Sequence, residues 1–450
     1  MSATRVAIVG GGLAGLATAV TLADRGIHVE LFEARRTLGG RAGSFRDPES
    51  GELVDHCQHV AMGCCTAWLD FCRRTGIDSL LRRDRVLNFI APDGTMRRFA
   101  AVGWLPAPLH LAPAFLRLTF LSLGERLAVA KAMMQLAREN EADYDPQAPT
   151  IGQWLRRQGQ TERAIEQFWG LVLTSALGET VERASLAAAR KVFVDGFLKD
   201  REAHEIYLPR VPLGELYDVH VAGWLKARGV VVKTGSPIAR IAGDERGATH
   251  LELPDGSRRH FDHYVVATTW HQAQPLLDPA LASAVPALHD SAALESSPIT
   301  AVHLWFDRPI TRLPHAVLVG KLSQWVFARP IASGAPLSDG HYYQVVISAS
   351  QSLAARRGTS VAQQVVDELM HAFPRARDAK LLRSRVVTQR DAVFSPRPGT
   401  DRLRPPQRTR VPNLFLAGDW TATGWPATME SAVRSGYAAA EGVLEAIGIQ

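Results

Sequence analysis

The sequence predicts an α/β fold in which a domain with a parallel sheet is interleaved with a second domain of mixed sheet and helices. Three short runs rich in Val, Ile, Leu and Ala, at 6–9, 264–268 and 413–420, are typical of strands buried on both faces of a parallel sheet. Long stretches in which helical and strand patterns alternate separate these runs. We therefore expect the parallel sheet to be assembled from distant segments of the chain.

A glycine-rich turn follows the first strand and leads into an apolar helical pattern. It fits G-x-G-x-x-G. Gly10 permits the tight turn, Gly12 lets the backbone approach a pyrophosphate, and Gly15 lets the helix pack closely on the strand. The free N–H groups and the positive end of the helix dipole would face the phosphates. The turn predicts a Rossmann-like nucleotide site whose binding residues are Gly10, Gly12, Leu13, Ala14 and Gly15.

An acidic residue ends the second predicted strand. Glu33 follows the strand pattern at 27–32, in register with the glycine turn. A carboxylate there can accept hydrogen bonds from both hydroxyls of an adenosine ribose, and it would repel the 2′-phosphate of NADP. The motif alone does not distinguish FAD from NAD.

The residues that follow favour FAD. Residues 33–41 read Glu-Ala-Arg-Arg-Thr-Leu-Gly-Gly-Arg, which resembles the E-A-R-x-R-x-G-G-R extension of the amine oxidase and phytoene desaturase flavoproteins. The resemblance implies FAD, a glutathione-reductase-like fold for the nucleotide domain, and contacts from this extension along the FAD pyrophosphate. Thr37 replaces the middle arginine of the pattern. The matching residues assigned to the cofactor are Glu33, Ala34, Arg35, Gly39, Gly40 and Arg41.

The last predicted strand ends in Gly418 and Asp419, and a helix begins shortly afterwards. This stretch resembles the C-terminal FAD signature of the same superfamily. The resemblance implies that Asp419 accepts hydrogen bonds from cofactor hydroxyls, and that the helix N-terminus, near Thr428 and Met429, faces the flavin. A positive helix end would stabilise negative charge on the reduced ring. The resemblance also places the backbone of Ile238 against the adenine.

A histidine-containing segment lies between these motifs. Residues 54–64 resemble the D-x-G-x-H-x-x-x-G-x-Y segment of carotenoid desaturases and hydroxysqualene dehydroxylases, which lies near the flavin ring, although Cys57 stands at the glycine of that pattern. Gln58 and His59 are therefore candidates to lie near flavin and substrate. His59, and less strongly Asp55, are candidate proton donors. The alternative for His59 is a hydrogen-bonded histidine of the core.

Taken over the whole chain, the motifs most closely resemble the hydroxysqualene dehydroxylase family. The stretches 168–177, 209–216 and 418–429 add to the segments above. The resemblance implies reduction of hydroxysqualene to squalene for hopanoid synthesis, with loss of an allylic hydroxyl and hydride from N5 of reduced FAD. A long apolar isoprenoid would be the substrate, the electron donor is unassigned, and the face of Trp425 could stabilise a transient cation.

Two alternatives stay open. A carotenoid or phytoene desaturase would run the hydride transfer in the other direction, onto oxidised FAD. From a different class, the chain could be a lipid-binding partner of a terpenoid synthase that retains FAD structurally. Loss of an allylic hydroxyl, formation of conjugated double bonds, or no change of flavin redox state would distinguish the three.

Composition excludes some functions. With 450 residues and 46% hydrophobic content, the chain can bury a large core. Its net charge of +6 is scattered without a basic stripe, so we expect no nucleic-acid partner. The four cysteines, at 57, 64, 65 and 72, lack C-x-x-C spacing and favour reduced buried thiols over a metal site. The N-terminus shows no signal-peptide pattern, so we expect a cytoplasmic protein.

A very apolar stretch at 104–123 carries three prolines, which argue against one long helix. It is either a core segment of the substrate domain or a patch that dips into one leaflet beside a lipid access channel. The second interpretation predicts peripheral contact with the inner face of the membrane.

The chain is expected to alternate between two domains. The predicted FAD-binding domain comprises 1–80, 214–290 and 385–450. The predicted substrate domain has a helical part at 81–213, with helices over 124–142 and 151–200, and a sheet part at 291–384.

Overall fold

The protein is described by a computed structural model over residues 4–49, 51–140, 145–328 and 340–449. The strands are β1 (Arg5–Val9), β2 (His28–Phe32), β3 (Ser44–Arg46), β4 (Leu53–Asp55), β5 (Ala61–Met62), β6 (Leu81–Asp84), β7 (Val86–Ile90), β8 (Met96–Ala100), β9 (Ile206–Pro209), β10 (Val231–Lys233), β11 (Arg240–Asp244), β12 (Gly247–Glu252), β13 (Arg258–Arg259), β14 (His263–Val266), β15 (Ser296–Phe306), β16 (His315–Leu318), β17 (Trp325–Ala328), β18 (His341–Ser348), β19 (Leu381–Phe394) and β20 (Leu414–Leu416). The α-helices are α1 (Leu13–Asp24), α2 (Thr66–Thr75), α3 (Ala112–Leu116), α4 (Leu123–Leu136), α5 (Ile151–Arg157), α6 (Glu162–Ala164), α7 (Leu171–Leu177), α8 (Leu186–Phe193), α9 (Ala222–Ala227), α10 (Trp270–Ala273), α11 (Pro279–Ser283), α12 (Ala287–Ser291), α13 (Gly358–Ala372) and α14 (Met429–Ala446), with π-helical turns at Ile165–Gly170, Val194–Leu198 and Glu215–Val221.

Five parallel strands form the first sheet, in the order β10-β2-β1-β14-β20. The predicted parallel sheet built from distant segments is therefore confirmed. Alternate residues of β1 face opposite sides, as a strand buried on both faces requires. Val6 and Ile8 pack with α1 and α14, whereas Ala7 and Val9 pack on the other side of the sheet. Because all five strands are parallel, their carboxyl ends meet at one edge, which is where ligands bind in open sheets of this kind.

The two helices that begin at this edge pack unusually closely. A Cβ atom at Gly15 would lie 2.0 Å from the carbonyl oxygen of Gly10. A Cβ at Gly436 of α14 would lie 2.3 Å from the carbonyl oxygen of Ala14. The hydroxyl of Thr18 donates to the carbonyl oxygens of Ala14 and Gly436, at 2.9 and 3.1 Å. Glycine at 15 and 436 is therefore required for α1 to contact both β1 and α14.

The second sheet has seven strands, in the order β19-β15-β18-β17-β16-β7-β8. β16 and β7 pair in parallel and the other neighbours are antiparallel. One face packs on α13 through residues such as Val365 and Leu369. The other face packs on the helical segment through Phe327, Trp169 and Phe193. The predicted mixed-sheet and helical substrate domain is confirmed.

Several element boundaries differ from those expected. The 14-residue β19 pairs along its length with β15, so the predicted start of the last FAD-binding segment at 385 falls inside a strand of the large sheet. β7 and β8, within the predicted helical part 81–213, also belong to that sheet. The helices expected over 151–200 are present, but they are short and alternate with π-helical turns. Part of the helix expected over 124–142 lies outside the described residues. No described helix is long and apolar enough to cross a membrane.

Two buried histidines, His110 just before α3 and His204 just before β9, pack against each other. The rings of His110 and His204 are 5.6 Å apart between centroids and are at most 1% exposed. None of their four nitrogens has a hydrogen-bond partner among the described residues. Burial lowers the pKa of both imidazoles.

We expect acid to destabilise the fold through this pair. Because both pKa values are lower in the folded chain, the unfolded chain binds more protons, and the stabilisation is lost as pH falls below the ordinary histidine pKa of about 6.5. Urea midpoints should fall from pH 7.5 to pH 5, and the fall should be smaller in the double variant His110→Phe/His204→Phe. The exposed His289→Phe serves as the control. Equal falls in the parent and the double variant would contradict the assignment.

Candidate active site

One cavity of about 1000 Å³ extends from the carboxyl edge of the parallel sheet to the large sheet and the helical segment. Its two ends differ in chemistry. Glycines and charged residues of the first and last motifs line one end, which we call the motif end. Apolar side chains line the other, which we call the chamber: Met62, Leu87, Phe89, Phe99, Leu111, Phe115, Leu118, Met133, Phe168, Leu171, Val172, Ser175, Ala176, Val192, Phe193, Phe197, Ile206, Val317, Trp325, Phe327 and Val346.

One side of the glycine turn packs against the chain at Ala267, and the other side faces the cavity. Gly10 has φ +117°, and a Cβ there would lie 2.4 Å from the carbonyl oxygen of Ala267. A Cβ at Gly12, by contrast, would meet nothing within 4 Å. Leu13 and Ala14, in the first turn of α1, also line the cavity. The open side therefore offers backbone N–H groups and a helix N-terminus to a phosphate-sized group, which fits the pyrophosphate of FAD.

Glu33 is held in place by backbone N–H groups. Its Oε2 accepts from the N–H of Gly11 at 2.7 Å, and its Oε1 accepts from the N–H of Arg35 at 2.8 Å. A carboxylate has about four acceptor positions, so each oxygen can still accept a hydroxyl from the cavity side. Ala34 and Ile238 line the same region. The arrangement fits an adenosine ribose with its adenine beside Ile238.

An ion pair joins the first motif to the last. Arg41 Nη2 donates to Asp419 Oδ1, and Arg41 Nη1 donates to the carbonyl oxygen of Ala392 at 3.0 Å. The side chain of Asp419 is 5% exposed. Both charged residues, together with Gly39, Gly40 and Gly418, line the cavity. The motif patterns assign each residue to the cofactor, but they do not reveal that Arg41 and Asp419 pair with each other.

The N-terminus of α14 also opens on the cavity. Thr428 is its N-cap and accepts from the N–H of Ser431 at 3.2 Å. Thr428 and Met429 line the cavity, and the helix runs for 18 residues. Its positive end therefore reaches the same space as that of α1, as expected for a helix that faces the flavin.

The histidine-containing segment lies between the two ends. Cys57, Gln58 and His59 line the cavity. His59 Nδ1 is 2.9 Å from the carbonyl oxygen of Cys57, and Gln58 Nε2 donates to the carbonyl oxygen of His59 at 3.2 Å. Burial, together with the charge of Arg41 and the neighbouring imidazole of His56, lowers the pKa of His59. The lowered pKa favours the neutral ring near pH 7, and the donor role expected for His59 stays a prediction.

Three predicted site residues lie outside the cavity lining. Gly15 is in the packing of α1. Asp55 Oδ1 accepts from Ser44 Oγ at 2.6 Å and from the N–H of Leu213 at 2.8 Å, which joins β3, β4 and the turn before the 215–221 segment. A carboxylate in this linking position does not reach the substrate as a proton donor.

Trp425 does not line the cavity, and its ring contacts two cations instead. Its ring lies 5.2 Å from Lys191 Nζ and 5.2 Å from the guanidinium carbon of Arg434. Because two cations already flank the ring, Trp425 does not fit the expected role of stabilising a substrate cation in the cavity.

Sequence patterns missed most of the chamber wall. Phe168 and Val172 have the helical spacing of ordinary core residues, and Trp325 and Phe327 have the alternation of an ordinary strand. A side chain that faces an internal cavity has the same composition as one that faces the core. Two signals pointed to this wall: the resemblance over 168–177, and the apolar stretch 104–123, whose Leu111, Phe115 and Leu118 line the chamber.

We expect the ion pair to support cofactor binding. Asp419→Asn should weaken FAD binding roughly 10- to 100-fold, because a hydrogen bond to a charged group contributes about 1.5–3 kcal/mol. Quenching of FAD fluorescence on titration into the apoprotein measures this. Asp24→Asn, in the exposed pair with Arg74, is the control. Equal affinities of Asp419→Asn and the parent would contradict the prediction.

Comparisons with known proteins identify the family of the chain. The family model of flavin containing amine oxidoreductases matches residues 13–444. The chain is 27% identical to the probable zeta-carotene desaturase of Synechococcus elongatus, over 99% of both chains. It is 25% identical to the 15-cis-phytoene desaturase of Solanum lycopersicum, over 98% of this chain and 77% of that protein.

Solved structures share the fold. Cyclohexylamine oxidase from Brevibacterium oxydans superposes with a TM-score of 0.71 at 19% identity, covering 99% of both chains. An oxidoreductase from Methanosarcina mazei superposes with a TM-score of 0.73 at 15% identity, covering 97% of this chain and all of that one. With its motifs placed around one cavity that fits the cofactor, the chain belongs to the flavin-containing amine oxidoreductase family and is an FAD-dependent oxidoreductase.

Proposed function

We propose that this chain exchanges hydride between FAD and a long acyclic isoprenoid, and that it works in the desaturating direction. The observation that carries the proposal is the continuity of one cavity from the FAD motifs to the apolar chamber. Bound FAD would supply the hydride acceptor. The residues of the chamber would hold the hydrocarbon and keep water out.

The chamber favours a hydrocarbon over a polar substrate. Among the described residues, the acidic and basic side chains that line the cavity are Glu33, Arg35, Arg41 and Asp419, all of them at the motif end. The hydroxyl of Ser175 is already satisfied, because it donates to the carbonyl oxygen of Leu171 at 2.8 Å and accepts from Trp325 Nε1 at 3.0 Å. An amine would lose its hydration in the chamber without gaining an anionic partner.

The relatives support the desaturating direction. The curated proteins named above are zeta-carotene and phytoene desaturases, and they match nearly the whole chain. The described chamber residues also include no acid that could protonate a leaving hydroxyl.

Reductive dehydroxylation of hydroxysqualene is the second candidate. It is favoured by the resemblance of 209–216 and 418–429 to hydroxysqualene dehydroxylases. It would use the same cavity, with hydride passing from reduced FAD to the substrate. A structural role for FAD in a lipid-binding partner of a terpenoid synthase would leave the flavin unchanged by either substrate.

An anaerobic experiment tests the proposal. The oxidised protein is mixed with phytoene and the reduced protein with hydroxysqualene, and flavin absorbance and extracted products are followed. Bleaching with new conjugated double bonds supports desaturation. Reoxidation with formation of squalene supports the second candidate instead. No change with either substrate, in protein that holds FAD, would remove both.

Filling the chamber should separate cofactor binding from substrate oxidation. Ala176→Phe places a ring in the chamber away from the motif end, so we expect unchanged FAD binding but loss of flavin bleaching by the substrate. Thr174→Phe is the control, because Thr174 lies on the same helix and does not line the cavity. Normal bleaching in Ala176→Phe would show that the substrate lies elsewhere.

We further propose that an anionic bilayer delivers the substrate. Among the described residues, seven of the ten large apolar side chains that are exposed lie within 96–134, which we call the apolar rim; Trp104 is 81% exposed. Leu109 and Met134 of this rim also line the cavity. The rim carries five cations, and its one acid, Glu125, is buried against Arg163. Apolar side chains beside cations suit an interface of hydrocarbon and anionic headgroups.

Vesicle sedimentation checks this proposal. The parent should bind vesicles that contain phosphatidylglycerol, and Leu116→Asp/Leu123→Asp should not. Val219→Asp/Leu382→Asp, exposed elsewhere, is the matched control. Arg98→Glu/Arg117→Glu should weaken binding roughly tenfold or more, since each cation near an anionic surface contributes about 1 kcal/mol. Equal binding by the rim and control variants would contradict the proposal.

A further inference from the structure

The cavity contains few groups that can exchange a proton. Among the described residues that line it, the titratable side chains are Glu33, Arg35, Arg41, Cys57, His59, His271 and Asp419. A desaturation removes two hydrogens from the substrate, one of them as a proton. One of these groups, or water, must accept it.

Most of them are unsuited to that role. Glu33 holds two backbone N–H groups at the motif end, and Asp419 is paired with Arg41. Burial raises the pKa of the Cys57 thiol to about 12, so the thiol stays protonated. The side chain of His271 is 44% exposed to solvent, and its Nε2 lies 3.0 Å from Ser296 Oγ.

His59 differs in both position and protonation. The carbonyl oxygen of Cys57 can only accept a hydrogen bond, so Nδ1 at 2.9 Å carries the ring proton. In the neutral ring Nε2 therefore presents a lone pair, and it has no hydrogen-bond partner among the described residues. Burial, followed by the charged neighbour Arg41 and the titratable neighbour His56, lowers the pKa of His59 and keeps the ring neutral near pH 7.

The segment that carries His59 lies where the two ends of the cavity meet. On one side of His59, the N–H of His56 donates to the carbonyl oxygen of Gly43 at 3.0 Å, next to the cavity-lining residues 39–42. On the other side, Val60 and Met62 line the cavity and pack on the apolar core of the chamber. A substrate in the chamber and a flavin at the motif end would both reach this junction.

We propose that Nε2 of His59 is the proton acceptor of the desaturation, an assignment that depends on the proposed function. One hydrogen leaves a substrate carbon with its electron pair, for oxidised FAD. Another leaves the adjacent carbon as a proton, to Nε2, and the electron pair of that C–H bond becomes the new C=C bond. The imidazolium then releases the proton to water. A single turnover needs no further oxidant.

Single-turnover bleaching of the FAD-bound protein by phytoene tests the chemistry. In the parent, the rate of bleaching should rise with pH through the lowered pKa of His59 and then level off, because only the neutral ring accepts a proton. We call this rise the limb of the pH–rate profile. His59→Gln should lose this limb and slow by roughly 100- to 10,000-fold, the usual contribution of a general base. His56→Gln, a neighbour that does not line the cavity, should keep the limb. A parental rate that rises as pH falls, or an unchanged limb in His59→Gln, would overturn the assignment.

A second readout does not depend on turnover. Diethyl pyrocarbonate modifies neutral imidazoles, and peptide mass spectrometry reports the labelling of His59 in the apoprotein. We expect labelling with a midpoint below pH 6.5 and protection by phytoene. Absence of protection would overturn the placement of His59 beside the substrate. If no isoprenoid bleaches the parental flavin, the proposed function fails, and with it the proton-acceptor assignment, whereas the labelling result still decides whether Nε2 faces the hydrocarbon site.

Discussion

The cavity depends on two places where the backbone leaves no room for a side chain. Gly15 brings the first turn of α1 against the carbonyl of Gly10, and Gly436 brings α14 against the same turn from the other side. A methyl group at either position would meet a backbone oxygen within 2.3 Å, and backbone in a packed core cannot move away cheaply. This contact places the N-termini of two helices at one edge of the parallel sheet. Both positive helix ends therefore open on the same cavity.

What could be predicted from the sequence is what short stretches of chain determine. The strand, glycine turn, helix and Glu33 lie within about thirty residues, so their relative placement follows from local geometry. The ion pair between Arg41 and Asp419 spans 378 residues. Each residue was assigned to the cofactor from its own motif, but a pattern along the chain contains no distance between motifs.

Other features could not be predicted because their sequence signals are ambiguous. Trp425 stands next to a cofactor motif, but its neighbour Gly424, at φ +70°, belongs to a turn after which the ring packs between two cations. The 14 residues of β19 show no continuous strand pattern in the sequence, because charged and polar residues interrupt it. In the structure Arg383 and Arg385 of this strand form ion pairs with the buried Asp47. The chamber wall could not be predicted, because apolar side chains in a core and around a cavity give the same sequence pattern.

The separation of charge from the chamber has a consequence for selectivity. A hydrocarbon gains free energy from area removed from water, about 25 cal/mol per Å², and this attraction is non-directional. Such an attraction does not determine which carbon of a bound hydrocarbon would lie beside the flavin. With the polar atoms of the chamber already paired, as at Ser175 and Trp325, the position of the substrate along the cavity depends on where the chamber ends. Phe168 and Phe193 line the chamber and pack with Trp169 behind them, with the three rings 4.7–6.0 Å apart, so this part of the wall is rigid. On the proposed function, the length of the chamber would determine the regiochemistry, and hydrogen bonding would contribute little to it.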